Sequence, residues 1–232
     1  FSERQEYPDD EKVRISKASF EKMKLGKQYV DPDCDFNFGD NTTVSQSINY
    51  LSELGVKNII ITNSSGSMNI NFVPGSFMVV KSHMDCTYRY DSKDPKLFSG
   101  DPYHCPQMID LALKAGKKLS LDLNVGTYCW TLGPSYETPA EILDMQRMGG
   151  DAVGMSTVPE IISAGELGMS ILTLSCLTNF AAGISSTALS HEEVIKSAEM
   201  NSENFIELIK ASNIKVSLGQ LDIPNFIFII FL

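Results

Sequence analysis

From about Thr43 onward, apolar and polar positions follow two alternating periods. Val44, Ile48, Leu51 and Leu54 recur at helical spacing, and Gly55 follows where a helix stops. Asn58-Ile59-Ile60-Ile61-Thr62 then predicts a buried strand, and Phe77-Met78-Val79-Val80 another. The pattern next predicts a helix from Met108 to Ala115 ended by Gly116, and a strand from Leu123 to Leu132. A helix from Pro139 to Met148, a short strand at Ala152-Val153 and a helix from Val158 to Leu167 come after it. A strand from Ile171 to Leu177 and a long amphipathic helix from His191 to about Ile209 complete the series. Such alternation predicts a single three-layer α/β domain over residues 1–232.

Helix starts are marked by one recurring signature. Thr138 with Glu141, Thr157 with Glu160, and Ser190 with Glu193 all spell S/T-x-x-E, a capping box. Pro139 stands at the favoured first helical position. The caps place Ser135-Tyr136-Glu137 and Met155-Ser156 in strand-to-helix turns, where open α/β sheets hold their ligands.

Composition narrows the class. At 232 residues and 43% hydrophobic, the chain can bury a sizeable core. A formal net charge of -10 argues against nucleic acid, which selects basic faces. The five cysteines, Cys34, Cys86, Cys105, Cys129 and Cys176, are unclustered. They read as reduced thiols of a cytoplasmic protein, with Cys129 and Cys176 in the core. The sequence contains no signal-peptide pattern, and its first residue is not a methionine, so the amino terminus reads as processed or truncated. The apolar run from Phe226 to Leu232 is far short of the roughly 20 residues of a membrane span and reads as a strand or a packed tail. Asp33-Cys34-Asp35-Phe36-Asn37-Phe38-Gly39 is only a fragment of a calcium loop, so no metal site is expected.

Three segments carry the chemistry: Gly133-Pro134-Ser135-Tyr136-Glu137-Thr138-Pro139-Ala140-Glu141, Gly154-Met155-Ser156-Thr157-Val158-Pro159-Glu160 and Leu177-Thr178-Asn179-Phe180-Ala181-Ala182-Gly183. Each joins a strand end to small and polar residues suited to a heterocycle or an anion. Taken singly, the residues have blander readings. Glu137 suits a helix dipole as a first-turn carboxylate, Asn179 suits a turn, and His191 suits a solvated helix start. His83 reads as core or surface, and His104 as a loop histidine.

Together, and in this order, the segments resemble the trimeric purine nucleoside phosphorylase family. Thr62-Asn63-Ser64-Ser65-Gly66-Ser67-Met68-Asn69 adds a fourth match, to a turn of that family. The resemblance is strongest over residues 39–209, with 1–38 and 210–232 diverging. It implies a mixed central sheet in the three-layer α/β domain, and phosphorolysis of the N-glycosidic bond of inosine or guanosine in purine salvage. Inorganic phosphate would be co-substrate, with no further cofactor, in a cytoplasmic homotrimer with no membrane or nucleic-acid partner. It implies that Glu137 accepts from N1–H of the purine and that Asn179 meets N7 and O6. An amide donates and accepts, which suits a 6-oxopurine, whereas the methylthioadenosine-cleaving relatives carry aspartate there. Tyr136 would flank base and ribose, and Met155 would lie under the sugar. Ser156 would hold phosphate at a helix start. Ser64, with Ser65 beside it, would meet phosphate through the backbone, Thr178 would line the base site, and His191 would reach the ribose 5′-hydroxyl.

The chain also departs from that family. The family's first strand and glycine-rich phosphate loop have no counterpart in the sequence. Where the family carries an arginine and a histidine for phosphate, the best match supplies Asp33 and Asp35. The purine half of the site therefore reads as intact and the phosphate half as altered. A homologue that binds purine nucleosides with little or no phosphorolysis is the alternative, and a hydrolase using water is a third reading.

Overall fold

The computed structural model describes residues 48–49, 51–53, 55–89, 95–185, 204, 206–212 and 214, and the backbone of 228–231. In chain order the strands are β1 (Asn58–Ser67), β2 (Phe77–Asp85), β3 (Leu97–Ser99), β4 (Leu123–Trp130), β5 (Ala152–Gly154), β6 (Ser170–Phe180) and β7 (Phe228–Phe231). The helices are α1 (Pro106–Lys118), α2 (Pro139–Arg147) and α3 (Val158–Glu166). Residues 48–49, 51–53 and 206–212 are also helical.

The sheet is mixed, as the family resemblance implies. β1 runs parallel to β6, β2 parallel to β4 and β4 parallel to β5. β6 meets β2 antiparallel, and β5 meets β1 antiparallel through Gly66↔Val153 and Ser67↔Ala152. These five pairings close the strands into a ring, β1-β6-β2-β4-β5 and back to β1. One edge of β1 is divided: residues 60–63 pair with β7, and residues 66–67 pair with β5. The apolar run near the carboxyl end is thus a strand at Phe228–Phe231.

Side-chain alternation sorts the layers. Ile60 of β1 and Leu172 and Leu174 of β6 join Met108, Ala112 and Ala115 of α1 and Leu208 and Ile209. Their neighbours Ile59, Ile61 and Ile171 face the other way, onto Ile161 and Ala164 of α3 and onto Ile48 and Leu51. A strand buried on both faces reads as a continuous apolar run, which is why Ile59-Ile60-Ile61 lacks alternation. Val158 of α3 also packs with Met78, Val80, Tyr128, Trp130, Ala152 and Leu177, so α3 lies against the inner side of the ring. α2 covers the outside near Met68, Cys129 and Val153 with Ile142 and Met145.

Several sequence expectations shift. Gly116 does not end a helix: α1 continues to Lys118, and the glycine lets the side chain of Leu123 pack against the helix backbone. Residues Asn63 to Ser67 are not a turn but the second half of β1, because pairing with β6 continues through Ser67↔Phe180. Long-range pairing there outweighs the turn preference of Asn, Ser and Gly. The short edge strand β3 has no sequence signal. The capping box at Thr138 forms, whereas Thr157 makes no side-chain cap. The box at Ser190, the Asp31–Asn41 stretch, Cys34 and most of the helix expected from His191 lie outside the described residues. Cys129 and Cys176 are buried, as expected.

Candidate active site

The three signature segments converge. Thr131, just past β4, donates its N–H to the Gly154 carbonyl at 2.9 Å. The indole N–H of Trp130 donates to the Met155 carbonyl at 3.3 Å. Gly133, at φ 68, lies directly against the Met155 thioether; a side chain there would collide with it. On the other flank, Gly183 packs against the Pro139 ring, and Ala181 donates its N–H to Ser67 O at 2.8 Å. Asn179 is the register partner of Gly66, just past a bulge in β1. The ends of β1, β4, β5 and β6 therefore stand side by side.

A cavity of about 470 Å³ opens at this edge. Glu137, Tyr136, Ser135, Thr131, Cys86 and Tyr88 are among the residues that line it. Glu137 is half-buried, and its Oε1 accepts from the Thr131 hydroxyl at 2.5 Å. Thr131 fixes one carboxylate oxygen and leaves Oε2 available to a ligand. Tyr136 stands at the rim, 47% exposed. Sequence reading missed Thr131, Cys86 and Tyr88. The available signal for Thr131 was a hydroxyl at a strand end, six residues before the carboxylate.

Asn179 sits on the β6 side. Its Oδ1 accepts from the Thr178 hydroxyl at 2.9 Å, and its Nδ2 donates to Phe180 O at 2.9 Å. An amide has two donors and two lone pairs. One donor and one lone pair are thus used to orient it, and one of each remains. Thr178 itself is buried, and its hydroxyl serves Asn179 and lies 3.4 Å from Ser65 O. Ser64 is half-buried beside Cys176 in the β1–β6 register. The Ser65 hydroxyl is buried against that of Ser175 at 2.6 Å.

Met155 and Ser156 precede α3. The Ser156 carbonyl accepts from the Tyr128 hydroxyl at 3.1 Å, and its Oγ lies 3.2 Å from Thr157 Oγ1. Thr157 is fully buried at φ 83 and ψ −44, a left-handed conformation rare for a β-branched residue. Burial raises the pKa of Tyr128 well above that of a free phenol. It also pushes Glu160, one turn into α3, up to about 7, against the pull of the neighbouring backbone N–H groups of Glu160 and Thr157. Arg89 stacks over the Trp130 ring, 4.9 Å from its centroid, on the indole that holds the Met155 carbonyl. His191 lies outside the described residues.

The two histidines of least obvious role meet each other. His83 Nδ1 lies 2.8 Å from His104 Nε2, and both rings are buried. His83 stacks on Phe98 of β3, with centroids 5.0 Å apart. Desolvation, with His104 beside it, lowers His83 to about 3, and desolvation lowers His104 to about 4. Both are neutral core groups. No group of three or more metal-ligating side chains occurs among the described residues, and none of their helices is long and apolar enough to cross a membrane.

A closed mixed sheet with helices on both faces, with a carboxylate in the segment after β4 and an amide at the end of β6, is a nucleoside phosphorylase-like fold. The profile of the Phosphorylase superfamily matches residues 40–212, and the chain belongs to that family. It is 36% identical over 178 residues to purine nucleoside phosphorylase 1 of Bacillus subtilis, covering 72% of this chain and 65% of the relative. It is 38% identical over 176 residues to the 6-oxopurine nucleoside phosphorylase of Pyrococcus furiosus, covering 70% and 66%. The chain therefore spans about two thirds of the length of these relatives. Among solved structures, Schistosoma mansoni purine nucleoside phosphorylase in complex with inosine superposes with a TM-score of 0.67 at 25% identity. That match covers 78% of this chain and 69% of the other.

Proposed function

We propose that this protein cleaves 6-oxopurine nucleosides by phosphorolysis, yielding the free base and ribose 1-phosphate. The observation that carries the reading is the oriented amide of Asn179, on a segment that packs through Gly183 against Pro139 of the segment that holds Glu137. A 6-oxopurine leaving group presents O6 as acceptor and, once protonated, N7–H as donor. The remaining Nδ2–H of Asn179 meets the first, and the remaining lone pair of Oδ1 meets the second. Glu137 Oε2 accepts from N1–H. In the reaction a phosphate oxygen forms a bond to C1′ while the C1′–N9 bond breaks. The bonding pair goes to the purine, which takes up a proton at N7. Donors fixed where that charge gathers lower the barrier without reorganising.

Relatives named for 6-oxopurine nucleosides, and related structures solved with inosine, guanosine and hypoxanthine, support this substrate class. Ser156, just before α3, is the residue we assign to phosphate, through its hydroxyl. Assembly as a homotrimer in the cytoplasm follows from the resemblance and belongs to the same proposal.

The test is release of hypoxanthine from inosine, with and without phosphate. Glu137→Ala and Asn179→Ala should each lower kcat/KM by about 100-fold or more, with denaturation midpoints close to the parent. Asn179→Asp should raise adenosine use relative to inosine, because the carboxylate lacks the donor for O6. Phosphate-independent release would instead favour hydrolysis. Inosine binding without any release would favour a nucleoside-binding protein.

A further inference from the structure

A line of buried polar side chains runs from β6 through β1 to the start of α3. Ser65 Oγ lies 2.6 Å from Ser175 Oγ, which donates to Asn63 Oδ1 at 2.6 Å. Asn63 Nδ2 donates to Thr157 Oγ1 at 2.9 Å, and Thr157 Oγ1 lies 3.2 Å from Ser156 Oγ. Ser65, Ser175, Asn63 and Thr157 are all at most 4% exposed. No strand or helix needs these side-chain bonds to exist. Three of the four join residues that are 94 to 112 positions apart in the chain.

Proton counting gives the line a direction. A hydroxyl has a single proton. Ser175 spends its proton on Asn63 Oδ1, so Ser65 is the donor in the first link. Thr157 receives a proton from the Asn63 amide and so turns its own away from Asn63, toward Ser156 Oγ and the Tyr128 phenol oxygen, whose own proton goes to the Ser156 carbonyl. Ser156 then accepts from inside, and its own proton is turned outward. The left-handed backbone of Thr157 serves this arrangement, because it turns the hydroxyl away from the helix cap and toward Asn63.

We propose that the buried chain Ser65–Ser175–Asn63–Thr157 positions Ser156 as an outward hydrogen-bond donor for the anionic co-substrate, with Asn63 setting the direction. This rests on the phosphorolysis reading for the identity of the anion. Asn63 touches no substrate; it is a positioning residue. An outward O–H suits phosphate, and an outward lone pair would repel it.

Asn63→Asp tests the direction with little change in shape. An ionised carboxylate there only accepts, so it takes the protons of both Ser175 and Thr157. Thr157 Oγ1 then offers Ser156 only a lone pair, which draws the Ser156 proton inward and competes with its outward bond. The phosphate KM should rise about tenfold while the inosine KM stays within about twofold. The defect relative to the parent should shrink as pH falls, because the introduced carboxyl, once protonated, again donates to Thr157. Thr157→Val should raise the phosphate KM similarly, and Thr157→Ser should restore it. Phosphate binding by calorimetry on the same proteins gives the readout without turnover. A parent that binds phosphate but does not release base would sink the phosphorolysis reading and leave the relay to be judged by that binding. Equal phosphate affinity in the parent, Asn63→Asp and Thr157→Val overturns the relay, as does a parent that binds no phosphate. So does an equal rise in the phosphate and inosine KM values, which marks a structural role only.

Discussion

The starts of α2 and α3 share one spelling and differ in almost everything else. At α2, Thr138 is extended, at φ −75 and ψ 158, and accepts from Glu141 N–H at 3.3 Å. Glu141 answers by accepting from Thr138 N–H at 2.7 Å. Both are exposed, and these bonds hold the Glu141 carboxyl below its usual range. At α3, Thr157 is left-handed and buried, and its hydroxyl has gone to Asn63. Glu160 is 2% exposed, with Oε2 lacking a hydrogen-bond partner and a pKa pushed up to about 7. The difference lies in what covers each helix start. The exposed Thr138 bonds only within its own helix start, to the Glu141 N–H and to the Glu141 carboxylate, which its hydroxyl meets at 2.8 Å. A buried threonine answers to the nearest strand, and here that strand carries the signature segment of β1.

The comparison breaks most visibly at the two glutamates, and Glu160→Gln should give the largest effect. The folded protein binds a proton at Glu160 up to about pH 7, whereas an unfolded chain releases it near pH 4.5. Between those values the folded state holds more protons, so stability falls as pH rises, and the loss is complete above about 7. Glutamine carries no such penalty. Glu160→Gln should therefore stabilise the protein at pH 8 by on the order of 3 kcal/mol, and most of that gain should be gone by pH 5. Urea midpoints at the two pH values measure it. A gain of equal size at both would mean that shape, not charge, is the cause.

Thr138→Ala comes next. It removes an N-cap that donates nothing to the core, so it should cost about 1 kcal/mol at any pH from 6 to 8. Inosine turnover should stay near the parent value if α2 only needs to start in the same place. A large loss of turnover would show that the cap also holds Glu137, its neighbour in the chain.

How much of this was legible in the sequence follows the same division. Strand and helix order could be read because apolar runs such as Ile59-Ile60-Ile61 and stripes such as Ile142 and Met145 are local in the chain. The purine side could be read because Glu137 and Asn179 sit in segments with distinctive spelling. Closure of the ring through Gly66↔Val153 and Phe77↔Cys176 could not, since it depends on strands that are distant in sequence. Nor could the pairing of His83 with His104, or the Asn63–Thr157 bond, which spans 94 positions. Thr131 escaped for a milder reason, because a lone hydroxyl at a strand end has no pattern until the carboxylate opposite it is seen.

The smallest expected effect is the most direct check on the comparison. Glu141→Gln makes the same chemical change at α2 that Glu160→Gln makes at α3. Glutamine at the third helical position still accepts from Thr138 N–H, so the box survives. What is lost is a negative charge near the helix N-terminus, worth about 0.3 kcal/mol or a little more at an exposed site. Because the Glu141 carboxyl lies below its usual range in the folded protein, its contribution is present above the unfolded value near pH 4.5 and fades as pH falls through the lowered one. Glu141→Gln should thus slightly destabilise at pH 7, and the effect should shrink as pH falls below 4.5. One swap at two copies of one motif then has opposite signs at neutral pH. Stabilisation by Glu141→Gln at pH 7 would mean that exposure is not what separates the two helix starts.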